Sequence, residues 1–104
     1  MKSLAYSVLL FVSLSSSCWA QISTADQLDQ QGLAATCANC HGTNGKGVPN
    51  ASIPLISQLS SEELLAQLLA YKSGTRSGTL MPQLTKGYTD AQLESIANQL
   101  GQKP

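Results

Sequence analysis

A single run, Cys37-Ala38-Asn39-Cys40-His41, constrains this 104-residue chain more than any other feature. The chain has three cysteines and one histidine, so the run holds two of the cysteines and the only histidine. A disulfide between cysteines three positions apart would close a very small loop and add little stability. The run must therefore serve a chemistry other than that of a disulfide framework.

The remaining cysteine lies in an N-terminal segment that is typical of a secretory signal. Lys2 provides a positive start, residues 4–14 form an apolar run, and Cys18 and Ala20 are small residues at the spacing of a signal peptidase site. The apolar run is shorter than the ~20 residues that cross a bilayer, which argues against a retained membrane anchor. We predict that residues 1–20 are a cleaved signal, which gives a periplasmic protein without membrane insertion.

Cleavage changes the composition of the chain that must fold. Residues 21–104 are 84 in number and contain neither tryptophan nor phenylalanine, so we predict one domain with a marginal apolar core. Five of the six basic residues remain against six acidic ones, so nucleic acid is not a predicted partner. Lipidation of Cys18 is the weaker alternative to cleavage after Ala20, because Ser15 stands where the usual lipobox has leucine.

The C-x-x-C-H spacing is that of c-type haem attachment. Two thiols three residues apart can add to the two vinyl groups of one haem, and the next residue then places an imidazole against the iron. Cys37 and Cys40 are therefore predicted to bind one haem c covalently, with His41 as an axial iron ligand. A zinc site would need a fourth ligand, and a thioredoxin-like Cys-x-x-Cys would need strands that the sequence does not predict.

One methionine, Met81, remains after cleavage, forty residues beyond His41. It lies in Gly78-Thr79-Leu80-Met81-Pro82, which we predict to be a non-helical segment between two helices. A methionine can fill a gap in a core, but loops run over the surface, so this is a poor core position. Met81 is predicted as the second axial ligand. With both axial positions filled, electron transfer is favoured over catalysis at the iron, and the chain is not predicted to be an enzyme.

Apolar periodicity and capping residues predict an all-α protein with three main helices around the haem. A capping box needs a hydroxyl residue followed three positions later by Glu or Gln, and a glycine commonly ends a helix. The predicted helices cover residues 24–36, 61–72 and 90–100; the boxes are Thr24 with Gln27, Ser60 with Glu63 and Thr89 with Gln92; the terminating glycines are Gly74 and Gly101.

These features together resemble a class I cytochrome c over residues 24–101. The resemblance rests on the Cys37–His41 run, the glycine-rich loop after it, Pro54, Met81-Pro82 and an amphipathic C-terminal helix. It implies that the Pro54 carbonyl orients His41 by accepting a hydrogen bond from its Nδ1–H. It also implies that the first and third helices cross near Gly32.

Several short pieces are similar to the haem domain of the cytochrome subunit of flavocytochrome c sulfide dehydrogenase. They are Cys40-His41-Gly42-Thr43-Asn44-Gly45, Ile53-Pro54, Tyr71-Lys72-Ser73-Gly74, Met81 and Lys86-Gly87-Tyr88. In that family the cytochrome subunit accepts electrons from a flavoprotein that oxidises sulfide. We therefore expect a periplasmic monohaem carrier of single electrons with redox proteins as partners. The alternative is an electron-accepting subunit of a sulfide-oxidising flavoprotein complex.

Three further side chains have two interpretations each. Arg76 either pairs with a haem propionate or is solvated. Tyr71 and Tyr88 either hydrogen-bond propionates or pack against the protein, and packing is the favoured interpretation.

Overall fold

The computed structural model describes residues 24–103, so the predicted signal over residues 1–20 lies outside the described part. The first helix, α1, covers 24–35 within that part. It is followed by α2 (Ala38–His41), a 3-10 turn (Thr43–Gly45), α3 (Ser61–Ser73), α4 (Met81–Thr85) and α5 (Asp90–Leu100). Between residues 24 and 103 the β-type pairing is limited to an isolated bridge joining Ser60 and Gln102. The all-α prediction is confirmed, and the three predicted helices are α1, α3 and α5.

The capping boxes predicted for α3 and α5 are present. In α3 the Ser60 hydroxyl accepts from the Glu63 N–H at 3.1 Å, and the Glu63 carboxylate accepts from the Ser60 N–H at 2.9 Å. In α5 the same reciprocal pair joins Thr89 and Gln92 at 3.2 and 2.9 Å. Each box satisfies backbone N–H groups that the helix itself leaves without partners, which is why both helices begin where the sequence predicts.

The core lies where α3 packs against α4 and α5. Its buried members are all small or aliphatic, so packing rather than polar contacts holds these helices together. They are Ala34, Leu64, Leu68, Leu93, Ile96, Ala97 and Leu100. Around them lies a shell of partly buried apolar residues that includes Cys37, Met81 and Tyr88.

Helices α3 and α5 run antiparallel, and both ends of the pair are tied. At one end the Ser61 N–H donates to the Gln102 carbonyl at 3.2 Å. At the other end the Lys72 ammonium meets the Asp90 carboxylate at 2.6 Å. Contacts at both ends therefore hold α3 and α5 side by side, and α4 packs against α3.

Gly101 ends α5, but it does not adopt the left-handed conformation that is common for a glycine at the end of a helix. Its backbone is extended, with φ −72° and ψ 157°, rather than left-handed. A Cβ at this position would lie 2.5 Å from the Cα of Ser61, so close approach of the two chains requires the glycine. Gly74, by contrast, ends α3 in the left-handed conformation, with φ 83°, as expected for a helix C-cap.

The close contact expected near Gly32 falls at Ala34, which is buried in the same cluster as Leu93 and Ile96. No described atom lies within 4 Å of the position that a Cβ would take at Gly32. The buried small residue of α1 is Ala34, and its neighbour Leu33 packs at the core margin together with Cys37. Because Cys37 faces the core, the positions three and four residues before it share that face, and Gly32 is turned away from it.

Within the described part of the chain, no helix combines the length and the apolar character needed to cross a membrane.

Candidate haem-binding site

The Cys-x-x-Cys-His run folds as a single helical turn. α1 ends at residue 35, and Cys37 is the N-cap of α2. The Cys37 carbonyl accepts from the N–H of Cys40 at 3.3 Å and from the N–H of His41 at 3.0 Å. The two thiols and the imidazole are therefore held on one short turn, as covalent attachment of one planar group and axial ligation of its metal would require.

The two cysteines differ in their surroundings. Neither forms a disulfide; Cys37 is half-buried against the core, whereas Cys40 is exposed. Burial raises the pKa of the Cys37 thiol, because the thiolate would lose its hydration. A thioether carries no charge and no proton, so conversion to a thioether suits the buried position of Cys37.

The imidazole of His41 is oriented by the backbone of a distant segment. Its Nδ1 lies 2.8 Å from the carbonyl oxygen of Pro54. A carbonyl can only accept, so Nδ1 carries the hydrogen and donates it. This fixes the tautomer in which the other ring nitrogen, Nε2, is unprotonated and free to bind a metal.

The loop after His41 brings Pro54 into reach. The Gly47 N–H donates to the His41 carbonyl at 2.7 Å. Further along, the Gly45 carbonyl accepts from the N–H groups of Ile56 and Ser57, both at 3.1 Å. The loop is thus closed at His41 and at the segment after Pro54, and glycine and asparagine supply its positive φ angles.

Met81 lies at the start of a helix rather than in a non-helical segment. It is the first residue of α4, with Pro82 near the N-terminus of the helix, where proline costs no hydrogen bond. The prediction of a non-helical segment is therefore wrong at Met81 and Pro82 but holds for Gly78–Leu80. The Met81 side chain is half-buried and packs against the same core cluster as Cys37.

Large apolar side chains are exposed on the two segments that carry Pro54 and Met81. Their exposed fractions range from 39% to 62%. They are Val48, Ile53, Leu55, Leu80 and Leu84. A small protein gains stability by covering such residues, so the residues present fit a large apolar planar group held between the His41 loop and the start of α4.

Four contacts near the site were not predicted. The guanidinium of Arg76 lies 5.1 Å from the centre of the Tyr71 ring, and a Cβ at Gly78 would lie 2.9 Å from that ring. The Tyr88 hydroxyl lies 3.0 Å from that of Thr36. Thr85 is buried and donates to the Met81 carbonyl at 2.8 Å.

Of these four contacts, the sequence indicates only the one between Met81 and Thr85. The i, i+4 spacing of Met81 and Thr85 is visible in the sequence and is common for a threonine that bonds back to its own helix. The other three contacts join segments whose relative placement local patterns do not specify. The favoured interpretation of Tyr88 as a packing residue was therefore incomplete, since its ring packs and its hydroxyl also forms a hydrogen bond.

The described side chains do not form a metal site of their own. From residue 24 to residue 103, no three His, Cys, Asp or Glu side chains are grouped closely enough to hold a metal ion.

Comparison with known proteins agrees with this geometry. The cytochrome c family model matches residues 30–102. The cytochrome subunit of sulfide dehydrogenase from Chlorobaculum tepidum is 38% identical over 69 residues, which are 66% of this chain and 61% of that protein. A thiosulfate dehydrogenase electron acceptor from Thiomonas intermedia is 34% identical over 64 residues, 62% of this chain and 30% of that protein.

A small cytochrome is similar over most of its own length. Cytochrome c-554(548) from Halomonas halodenitrificans is 34% identical over 65 residues, which are 60% of this chain and 77% of that protein. The chain spans less than two thirds of the length of the two sulfur-related relatives. What these relatives share with the chain is thus the cytochrome domain. The chain therefore belongs to the cytochrome c family, as an all-α class I cytochrome with covalently bound haem c.

Proposed function

We propose that this protein is a periplasmic monohaem carrier of single electrons, with Cys37 and Cys40 as the attachment residues and His41 and Met81 as the axial ligands. The observation that carries the proposal is the 2.8 Å hydrogen bond between His41 Nδ1 and the Pro54 carbonyl. It fixes the imidazole in the metal-binding tautomer on the same turn that presents both thiols. A histidine that only filled space would not need this arrangement.

The bound haem supplies a one-electron iron couple, and the protein sets the environment of that couple. His41 contributes a nitrogen whose basicity is raised by donation from Nδ1 to the Pro54 carbonyl. Met81 contributes a thioether, and histidine–methionine ligation raises the reduction potential. With His41 and Met81 holding the iron, the haem would have no open position for a further ligand, which would favour electron transfer over oxygen or peroxide chemistry.

The N-terminal sequence supports the periplasmic part of the proposal. The sequence of residues 1–20 fits a cleaved signal, which would leave residues 21–104 as the working protein. This location brings the carrier together with exported redox proteins.

The axial ligand set is tested by the optical spectrum of the oxidised holoprotein. We expect a weak absorbance at about 695 nm, which reports iron–methionine sulfur bonding and is called the iron–methionine band below. Met81→Ala should abolish this band while the helical circular dichroism is retained. Gln83→Ala, a change at an exposed polar position of the same helix, should leave the band in place. Binding of carbon monoxide to the reduced wild-type protein at neutral pH would contradict Met81 as a tight ligand.

A second candidate function is that of an electron-accepting subunit in a complex with a sulfide-oxidising flavoprotein. Two observations favour it: the similarity to the cytochrome subunit of sulfide dehydrogenase, and the 62% and 52% exposure of Leu80 and Leu84 beside Met81. A permanent partner would cover such apolar side chains.

Native size separates the two candidates. Periplasmic extract is passed over a size-exclusion column and scanned for haem and flavin absorbance. Elution of haem as a free species of the size of residues 21–104 supports the carrier. Coelution of haem with flavin in a larger species, at a constant ratio, supports the subunit.

A further inference from the structure

Residues 81–88 form one hydrogen-bonded unit that carries Met81. The buried Thr85 hydroxyl donates to the Met81 carbonyl at 2.8 Å and lies 3.3 Å from the Pro82 carbonyl. The Tyr88 N–H in turn donates to the Thr85 carbonyl at 3.2 Å. Because these bonds are consecutive, a displacement of Tyr88 is transmitted to the backbone of Met81.

The other end of this unit reaches the residue next to the haem-attachment turn. The Tyr88 hydroxyl lies 3.0 Å from the hydroxyl of Thr36, which precedes Cys37 and is 52 residues away in sequence. Thr36 also donates to the Leu33 carbonyl at 2.7 Å. Since a hydroxyl has only one hydrogen to donate, Tyr88 is the donor and Thr36 Oγ1 the acceptor in the contact between them.

We infer that the Tyr88 hydroxyl is a positioning group that holds the Met81 unit against the haem-attachment turn and so keeps Met81 on the iron. The inference rests on the proposed ligation by Met81. The haem is fixed to the chain at Cys37, whereas Met81 approaches it from a separate segment. A hydrogen bond from Tyr88 to Thr36 ties these segments together one residue before Cys37.

The hydroxyl, rather than the ring, is the part of Tyr88 to which this role is assigned. The ring is half-buried and packs at the core margin, and phenylalanine would preserve that packing. Tyr88→Phe removes only the donor and leaves Thr36 bonded to the Leu33 carbonyl. The state in which Met81 has left the iron then becomes easier to reach.

Displacement of Met81 by imidazole measures this effect. Imidazole is titrated into oxidised holoprotein, and loss of the iron–methionine band gives the concentration at half-displacement. Because a hydrogen bond of this kind has a modest net value, we expect Tyr88→Phe to lower that concentration about three- to fivefold. Thr36→Ser keeps the acceptor oxygen and should behave as wild type.

Two further variants separate positioning from general stability. Thr36→Val removes the acceptor, and combining it with Tyr88→Phe should lower the half-displacement concentration no further than Thr36→Val alone. Ser61→Ala removes a hydroxyl at the start of α3, which lies 3.5 Å from the Gln102 carbonyl. The other end of α3, where Lys72 meets Asp90, is the end near Tyr88. Ser61→Ala should leave the imidazole titration unchanged even if it lowers the free energy of unfolding.

The outcomes distinguish this inference from the proposed ligand set. If the wild-type protein shows no iron–methionine band, the proposed ligation fails and the inference fails with it. If the band is present and imidazole removes it at the same concentration in wild type and Tyr88→Phe, the positioning role alone is overturned. A lower free energy of unfolding without a shifted titration leads to the same rejection.

Discussion

At the scale of single residues, the orientation of His41 depends on a loop with little room for side chains. Gly42 has φ 79°, and a Cβ there would lie 2.0 Å from the Gly47 carbonyl oxygen. That same Gly47 donates its N–H to the His41 carbonyl. The close approach of the backbones at Gly42 and Gly47 therefore allows the loop to turn from His41 back towards Pro54.

Gly42 and Gly74 form a contrasting pair for testing this close approach, with ψ 165° at Gly42 and ψ 4° at Gly74. Their φ angles are 79° and 83°, but no atom lies within 4 Å of a Cβ at Gly74. Gly74→Ala should lower the free energy of unfolding by about 1–2 kcal/mol, because alanine is strained in the left-handed conformation but meets no clash there. Gly42→Ala meets a backbone clash and also a conformation, φ 79° with ψ 165°, that is essentially restricted to glycine, so it should lower the free energy of unfolding by more than about 3 kcal/mol.

The measurement for this pair is the free energy of unfolding of the holoprotein by chemical denaturation. Equal losses in Gly42→Ala and Gly74→Ala would show that conformation alone, and not close approach, sets the cost at Gly42.

At the scale of helices, the capping box of α3 makes stability depend on pH in a defined direction. The Ser60 N–H and hydroxyl hydrogen-bond Glu63 and lower the pKa of its carboxyl below the ordinary value of 4.5. A pKa that is lower in the folded state stabilises the fold above the ordinary value, and this contribution is lost as the pH falls through the folded-state pKa. The box therefore supports α3 at neutral pH and weakens in acid.

Glu63→Gln tests this linkage. The variant should be less stable than wild type at neutral pH, and the difference should shrink as the pH falls below 4.5, the ordinary pKa of the carboxyl. Free energies of unfolding across this pH range give the result. Glu62→Gln, a change in the same first turn outside the box, is the matched control and should show a smaller change with pH. An unchanged pH slope in Glu63→Gln would show that the charge of Glu63 adds nothing to the box.

The helices illustrate what local sequence could predict. Ser60, Thr89 and Gly74 act through neighbours within four positions, so their roles could be read directly from the chain. The start of α4 at Met81 was missed because it depends on Thr85 and on the seating of α4 against α3. The contact between Thr36 and Tyr88 spans 52 residues, and it arises only when the whole fold brings the two segments together.

At the scale of the whole molecule, the apolar side chains fall into two groups. One is the buried cluster between the helices, in which Leu93 and Ile96 are 1% and 2% exposed. The other is the exposed set around Pro54 and Met81, in which Leu55 and Leu80 are 46% and 62% exposed. The first group is small for a chain of this length, so the second group must be covered for the fold to be stable. Haem c between His41 and Met81 would cover it.

This division predicts that folding depends on haem attachment. A chain with Cys37→Ala and Cys40→Ala, expressed without its signal, cannot hold haem covalently and should lose most of its helical circular dichroism at 25 °C. Leu93→Ala in the holoprotein is the contrasting case. It should cost about 2–5 kcal/mol, as expected for a buried leucine, yet leave the helical signal intact at the same temperature. A haem-free double variant with the full helical signal would show that the buried cluster alone is sufficient, and that the exposed apolar side chains belong to a protein interface instead.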